Sequence, residues 1–295
     1  MQFFIFDTSE WYVAGVDENG YGPLLGPLIV TGVSLRVKGA DPLSASELKG
    51  YRFPIPIKDS KELFKRSLAS YRVGESVAIT VLRICGKEFT SLQGIIDGLS
   101  LRKFCLGNYG IEDVDLPAFG GHMNEHLVRY LSNSSIFVEA LVVNILMPDE
   151  FNEAVTALGN KALLDFRSFM EVQKALDARF FIMGKIGGTS HYGHFFEHLG
   201  IPFQLIKESF GASTYKLQDG EIVNFILHAD REYLPVTFAG IIGKYLRELI
   251  MYSLSRSLGL DTEIPYASGY YHDKRTFEVA EKLPSGLRDR WVRLR

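Results

Sequence analysis

The amino-acid sequence predicts an α/β fold with a mixed sheet, and three features lead there. Residues 13 to 27, "VAGVDENGYGPLLGP", run a buried-strand pattern into an acid pair and a glycine turn, and "PLIVTGVSLRV" returns at once as a second strand. A third β-branched stretch, "SVAITVLRI" (76–84), completes an expected antiparallel meander. Beyond residue 89 helical and extended patterns alternate, which is the order of an α/β arrangement with flanking helices.

Each element follows from its pattern. Between the second and third stretches, "IPIKDSKELFKRSLASYR" offers Asp59 or Ser60 as a helix cap ahead of Leu63, Phe64 and Leu68 on one side. "FTSLQGIIDGLSLRKFCL" has helical periodicity, "SSIFVEALVVNIL" reads as a strand, and "KALLDFRSFMEVQKALD" as a helix. A short apolar strand, "RFFIMG" (179–184), precedes a small helix (190–199), a strand "PFQLIKES", a polar turn around "LQDGE" and a strand "IVNFILH". The longest helical pattern, "PVTFAGIIGKYLRELIMYSLSRSL", has Pro235 near its first turn and Gly259 at its close.

Composition narrows the class. With 295 residues, 46% hydrophobic and 23% charged, the chain can bury one large core or two. Its two cysteines, Cys85 and Cys105, have no metal-ligand spacing and are too few for a disulfide scaffold, which points to a reducing compartment. The opening "MQFFIFDTSEW" lacks the basic flank and apolar core of a signal peptide, and no run approaches the roughly 18 apolar residues of a membrane span. A cytoplasmic location without membrane contact is therefore expected. A net charge of −3 confines any nucleic-acid contact to a local patch.

Several constellations can carry chemistry, and each has a plainer reading beside it. Asp17 and Glu18 at a strand end, before Gly20, Gly22 and Gly26, suit hard divalent cations and a phosphate, or a surface turn. In "KDSKEL", Lys58, Ser60 and Lys61 sit at a helix start that can contact phosphate or simply be capped. In "FAGIIGKYLRELIM" the small residues allow close packing on the sheet, while Lys244, Arg247 and Glu248 bring charge to one end. His191, His194 and His198 in "TSHYGHFFEHLG" fall on one face of a helix capped by Ser190, as a Zn²⁺ site or a solvent face. The terminal "KLPSGLRDRWVRLR" suits a phosphate-facing tail, or a solvated helix with Trp291 and Leu294 docked on the body.

Taken in order, these pieces resemble the ribonuclease HII family. "GVDENGYGPLLGP" is similar to its "DEAGRGPLAGP", "DSKEL" to its "DSKKL", "AGIIGKYLRELIM" to its "ASIxAKVxRDRLM" helix, and "SGYYHDKRTFEVAEKL" to its "SGYxTKEHLEAL" segment. The resemblance covers about a third of the chain directly. It implies a ribonuclease H-like mixed sheet with a five-stranded core, as one domain over 1–295. Insertions are expected around 100–175 and 205–225, with a basic C-terminal extension over 282–295.

The resemblance further implies metal-dependent endonucleolytic cleavage of RNA in RNA/DNA hybrids, or at ribonucleotides embedded in duplex DNA, with Mg²⁺ or Mn²⁺. Asp17 and Glu18 align with the first two carboxylates, and Glu248 with the fourth acid, usually Asp. Lys58, Ser60 and Lys61 would contact phosphate, while the backbone of Gly20, Tyr21 and Gly22, with Tyr270, would read the ribose.

Two departures qualify the match. The family's third acid ends a strand written "VLVDG", where this chain has Gly184 followed by Lys185; its "GRG" turn is "GYG", with Tyr21 replacing Arg. A weakened metal site is the expected consequence. The alternatives are a nucleic-acid-binding relative with impaired or lost catalysis, and a fold reused for protein interaction.

Overall fold

The strand that carries the acid pair lies in the middle of the sheet. The computed structural model describes residues 10–38, 41–47, 60–134, 136–260 and 262–294. Strands β1 (Glu10–Asn19), β2 (Leu28–Lys38), β3 (Ile136–Leu146), β4 (Phe180–Gly184), β5 (Phe203–Glu208), β6 (Ala212–Leu217) and β7 (Ile222–Ile226) form one sheet in the order β3-β2-β1-β4-β7-β6-β5. The pairs β1/β2 and β2/β3 are antiparallel, β1/β4 and β4/β7 parallel, and β7/β6 and β6/β5 antiparallel. The fold is α/β with a mixed sheet, as expected.

The helices are α1 (Pro42–Ser46), α2 (Ser60–Leu63), α3 (Leu68–Ile84), α4 (Leu92–Leu99), α5 (Glu125–Ser132), α6 (Pro148–Leu158), α7 (Lys161–Lys174), α8 (Gly193–His198), α9 (Ala229–Glu232), α10 (Leu234–Ser257), α11 (Lys274–Lys282) and α12 (Ser285–Trp291). They divide the core between the two faces of the sheet. Helices α3, α4 and α10 bury Val77, Val81, Ile96, Ile242 and Leu246 with Val13, Ile29 and Val33. Helices α7 and α8 bury Leu164, Phe169 and Phe196 with Ala14, Val16, Val30 and Phe181. Covered on both sides, β1 is apolar from Val13 to Val16 without alternation.

Three expectations change. Residues 76–84 are not the third strand of the meander but the second half of α3, whose Tyr71, Gly74, Val77, Ala78, Val81 and Leu82 are buried. That is a helical stripe, and the β-branched residues that suggested a strand fill it because packing on α10 overrides local preference. The meander's third strand is instead β3. The single helix expected from Asp59 or Ser60 through Leu68 is a one-turn α2, a break, and α3 capped by Ser67, whose hydroxyl accepts from the Ser70 amide; Asp59 lies outside the described residues. The expected five core strands are present as β3-β2-β1-β4-β7, and β6 and β5 extend them at one edge, β6 from residues to which the pattern assigned no strand.

At the C-terminus Trp291 is fully buried and its indole donates to the Tyr109 carbonyl at 2.9 Å. Leu294, expected to dock, is 58% exposed, and the residue that enters the body is Arg293, 3% exposed. No helix among the described residues is long and apolar enough to cross a membrane.

Helix α10 lies directly on β1, and glycine sets the distance. A Cβ at Gly15 would stand 2.3 Å from the Pro235 carbonyl carbon and the Val236 nitrogen, both backbone atoms with little room to move. Gly15→Ala should therefore destabilise the protein by about 1–3 kcal/mol or more, as overpacked cores do. Denaturant unfolding measures this, and a change within about 0.5 kcal/mol would contradict the contact.

Candidate active site

In parallel sheets, functional groups collect beyond the carboxyl ends of the strands. Here β1, β4 and β7 are mutually parallel neighbours, and Asp17, Gly184 and the segment after Ile226 stand at their carboxyl ends. Asp17, Glu18, Gly184, Lys185, Lys61, Ser60 and Asp230 line one hollow there. Beside it opens a cleft of about 690 Å³, lined by Glu18, Gly20, Tyr21, Gly22, Ser60, Lys61, Arg66, Lys244, Tyr270, His272 and Arg275 among others. The structure thus brings together every sequence-predicted substrate-contacting residue except Lys58, which lies outside the described residues.

The acids of the hollow repel one another. Burial, then Glu18, then Asp230 push the Asp17 carboxyl well above its ordinary value, with Lys61 opposing. Burial and then Asp165 do the same to Glu18. Asp230 is placed by a tight bend: His228, at φ 60°, is the single non-glycine residue with positive φ among the described residues, and α9 starts immediately after it. A left-handed backbone at such a residue costs about 1–3 kcal/mol and persists where the surroundings impose it.

Glu248 was expected in this group, and the structure places it elsewhere. Its carboxylate, 2% exposed, pairs with Lys244 at 2.6 Å and accepts a short hydrogen bond from the Tyr71 hydroxyl, with Arg247 at 3.9 Å. Burial would raise its pKa, but Lys244 and Arg247 outweigh that and hold it below the usual carboxylate range. Within the hollow, the acid that joins Asp17 and Glu18 is Asp230. The sequence did hold a signal for it, an acid four residues after the end of β7 in "LHADREY".

Gly184, at which the resemblance leads one to expect a carboxylate, lies beside the acid pair. A Cβ there would stand 2.8 Å from Asp17 Oδ1 and 3.7 Å from Glu18 Oε2. Lys185 donates to Ser190 Oγ at 2.6 Å and to the Phe210 carbonyl at 2.5 Å. On the helix side the neighbour of Asp17 is Gly240, where a Cβ would lie 2.5 Å from Oδ2.

The glycine turn is held from behind. Gly20 and Gly26 have φ of 90° and 88°, which other residues rarely adopt. Arg247, fully buried, donates to the carbonyls of Leu25 at 2.9 Å and Ser268 at 3.0 Å, and so ties the turn to the "SGY" segment. Its guanidinium also lies 5.2 Å from the Tyr270 ring, and His272 stacks on that ring at 5.6 Å. Tyr21, in place of the family's Arg, has the Lys161 ammonium 4.6 Å from its ring centre.

The three histidines do not share a helix face. Helix α8 begins at Gly193, so His191 precedes it and pairs with Glu208 at 2.6 Å, while the His194 ring packs on Phe195. Ser190 does not cap the helix, since its hydroxyl receives the Lys185 amine. Among the described residues no three His, Cys, Asp or Glu side chains are already arranged to hold a metal ion.

No family model matches the sequence. A stretch of 133 residues is 28% identical to the ribonuclease HII of Methanococcus maripaludis, covering 45% of this chain and 46% of that protein. This chain is a relative of ribonuclease HII. The match spans about half the length of that curated relative. Among solved structures, a chain of the PCNA:RNase HII complex from Archaeoglobus fulgidus superposes with a TM-score of 0.46 at 17% identity, over 96% of this chain and 94% of that one. The ribonuclease H2 of Pyrococcus horikoshii gives 0.45 at 18% identity, over 92% and 86%.

One further acid of this ribonuclease HII relative stands out. Asp165 on α7 is fully buried, and neither of its oxygens finds a hydrogen-bond partner among the described residues. Burial and then Asp17 push its pKa up to about 8, against the pull of Arg293 and Lys161. The folded state therefore keeps a proton that the unfolded chain, with an ordinary value of about 3.9, has released. Stability is full below that ordinary value and falls as pH rises toward 8, by at most about 1.4 kcal/mol per pH unit for this group. Asp17 and Glu18 act in the same direction, whereas Glu248 contributes stability that is lost only at acid pH. Melting without divalent metal should show a midpoint that falls between pH 5 and 8, with a shallower slope in Asp165→Asn. An unchanged slope in that variant would contradict the assignment.

Proposed function

We propose that this chain is a metal-dependent endonuclease of the ribonuclease H type, acting at ribonucleotides embedded in duplex DNA or on the RNA strand of an RNA/DNA hybrid. The observation that carries the reading is the meeting of Asp17, Glu18 and Asp230 at the carboxyl ends of parallel strands, beside a basic cleft walled by a glycine turn. The donor set fits a hard divalent cation. It offers carboxylate oxygens whose crowding and burial raise the pKa of Asp17 and Glu18 in spite of Lys61, and Mg²⁺ retains several waters and needs few protein ligands.

Asp17, Glu18 and Asp230 would hold Mg²⁺ or Mn²⁺, which supplies the Lewis acidity that activates water and stabilises a leaving oxygen. The remaining roles belong to the chain itself. Lys61, Arg66, Lys244 and Arg275 bring positive charge to the cleft for phosphates. No acceptor among the described residues takes the N–H of Tyr21 or Gly22, so these amides are available to a ribose hydroxyl. Tyr270, backed by Arg247, offers a flat face to a sugar or base.

Gly184 favours a second reading, in which the cleft binds these duplexes with little or no cleavage. Losing a group that merely orients a metal ligand costs about 10-fold to 100-fold, and an absent ligand costs at least that. Reuse of the fold for protein interaction predicts neither duplex affinity nor metal dependence.

The test is cleavage of a labelled duplex carrying one ribonucleotide, and of an RNA/DNA hybrid, with Mg²⁺ and separately with Mn²⁺. We expect cleavage that Asp17→Asn and Asp230→Asn each reduce by about 100-fold or more, and that Gly184→Asp raises by about 10-fold or more. Duplex binding without cleavage in the wild type would establish the second reading, and neither binding nor cleavage would remove both. Full activity in Asp230→Asn, with loss in Glu248→Gln, would return the fourth-acid role to α10.

A further inference from the structure

The C-terminal segment after α12 has no part in the chemistry just described, yet Val292 and Arg293 are bonded to the glycine turn. Leu25 and Val292 form an antiparallel bridge, the Gly26 amide donates to the Trp291 carbonyl at 3.3 Å, and the Arg293 amide donates to the Leu24 carbonyl at 2.9 Å. The Arg293 side chain then turns back under the turn. Its Nε donates to the Gly26 carbonyl at 2.8 Å and its Nη1 to the Gly20 carbonyl at 2.5 Å, over the Phe151 ring at 4.3 Å.

The bond to Gly20 has a consequence for the cleft. In a planar trans peptide the C=O of one residue and the N–H of the next point in opposite directions. Fixing the Gly20 carbonyl on Arg293 therefore fixes the Tyr21 N–H on the opposite side of the same peptide plane. That amide belongs to a residue of the cleft wall and has no acceptor among the described residues.

Stability alone does not explain this arrangement. Arg293 is buried with its Nη2 unpartnered, and a buried guanidinium left partly unsatisfied is a poor stabiliser. Lysine could not replace it, because a single ammonium does not reproduce the planar fork that reaches two carbonyls from one head group.

We propose that Arg293 is a positioning residue for ribose recognition: it orients the Gly20–Tyr21 peptide so that its amide faces the 2′-hydroxyl of a ribonucleotide in the cleft. The inference rests on the reading of the cleft given above, and it makes the tail a working part of the site. Arg293 touches no substrate, so removing it should change discrimination more than general duplex affinity.

The experiment compares the full-length wild type with Arg293→Met and Arg293→Lys. It measures affinity for a duplex with one ribonucleotide against the same all-DNA duplex, and hydrogen exchange of peptides covering residues 19–27. The wild type should prefer the ribonucleotide duplex, and Arg293→Met should lower that preference by about 10-fold or more. Affinity for all-DNA should change little, and exchange should rise in 19–27 alone, with Arg293→Lys in between. A preference retained in Arg293→Met would overturn the inference and leave the functional reading standing. No preference in the wild type would overturn both. If Arg293→Met exchanges globally, Arg293→Lys decides: an undiminished preference in it refutes the role, and a reduced preference with exchange confined to 19–27 supports it.

Discussion

The contact between α10 and β1 is the constraint on which the rest of the site depends. Along one face of the strand, Gly15, Asp17 and Asn19 meet Pro235 and Val236, Gly240, and Gly243 of the helix in turn, and Arg247 one turn further on meets Gly20 and Gly26. Two strand residues advance about 6.8 Å and one helical turn about 5.4 Å, so the two rows stay nearly in step from Gly15 to Asn19, about two turns of the helix. Side chains at Gly240 and Gly243 would occupy the space of the Asp17 and Asn19 side chains. The same spacing that seats Asp17 therefore also delivers the guanidinium of Arg247 to the turn.

A site built this way gathers like charge. Glu18 and Asp230 raise the pKa of Asp17, Asp165 and Asp230 raise that of Glu18, and Asp165 lies within reach from the other face of the sheet. Charge of one sign in a partly desolvated hollow is costly unless a cation or protons offset it. Glu248, in contrast, is balanced within α10 by Lys244 and Arg247 and by the Tyr71 hydroxyl, which leaves it little need of a further cation. The two kinds of acid differ in surroundings more than in residue type.

Glycine acts in opposite ways at neighbouring positions. At Gly20 and Gly26 its absent side chain permits positive φ, and the buried Arg293 reaches the carbonyls of both. At Gly184 it withholds a group from a position 2.8 Å from Asp17 Oδ1, where a carboxylate would join the cluster. The turn is thereby well supported from behind.

The sequence by itself determined the strand–acid–turn unit, the long helix with its glycines and the strand ending at Gly184, because each is a local pattern of burial, turn chemistry and period. It also marked Gly20, Tyr21, Gly22, Ser60, Lys61 and Tyr270, which share the wall of one cleft. Tertiary structure decided the rest. Residues 76–84 are helical because a face of α3 packs on α10. Asp230 and not Glu248 neighbours the acid pair because β7 runs parallel to β4, and β4 to β1, which carries the residues after β7 to the same end of the sheet. Arg293 meets Gly20 across 273 positions of sequence, a distance no periodicity spans, since only chain packing brings two such residues together.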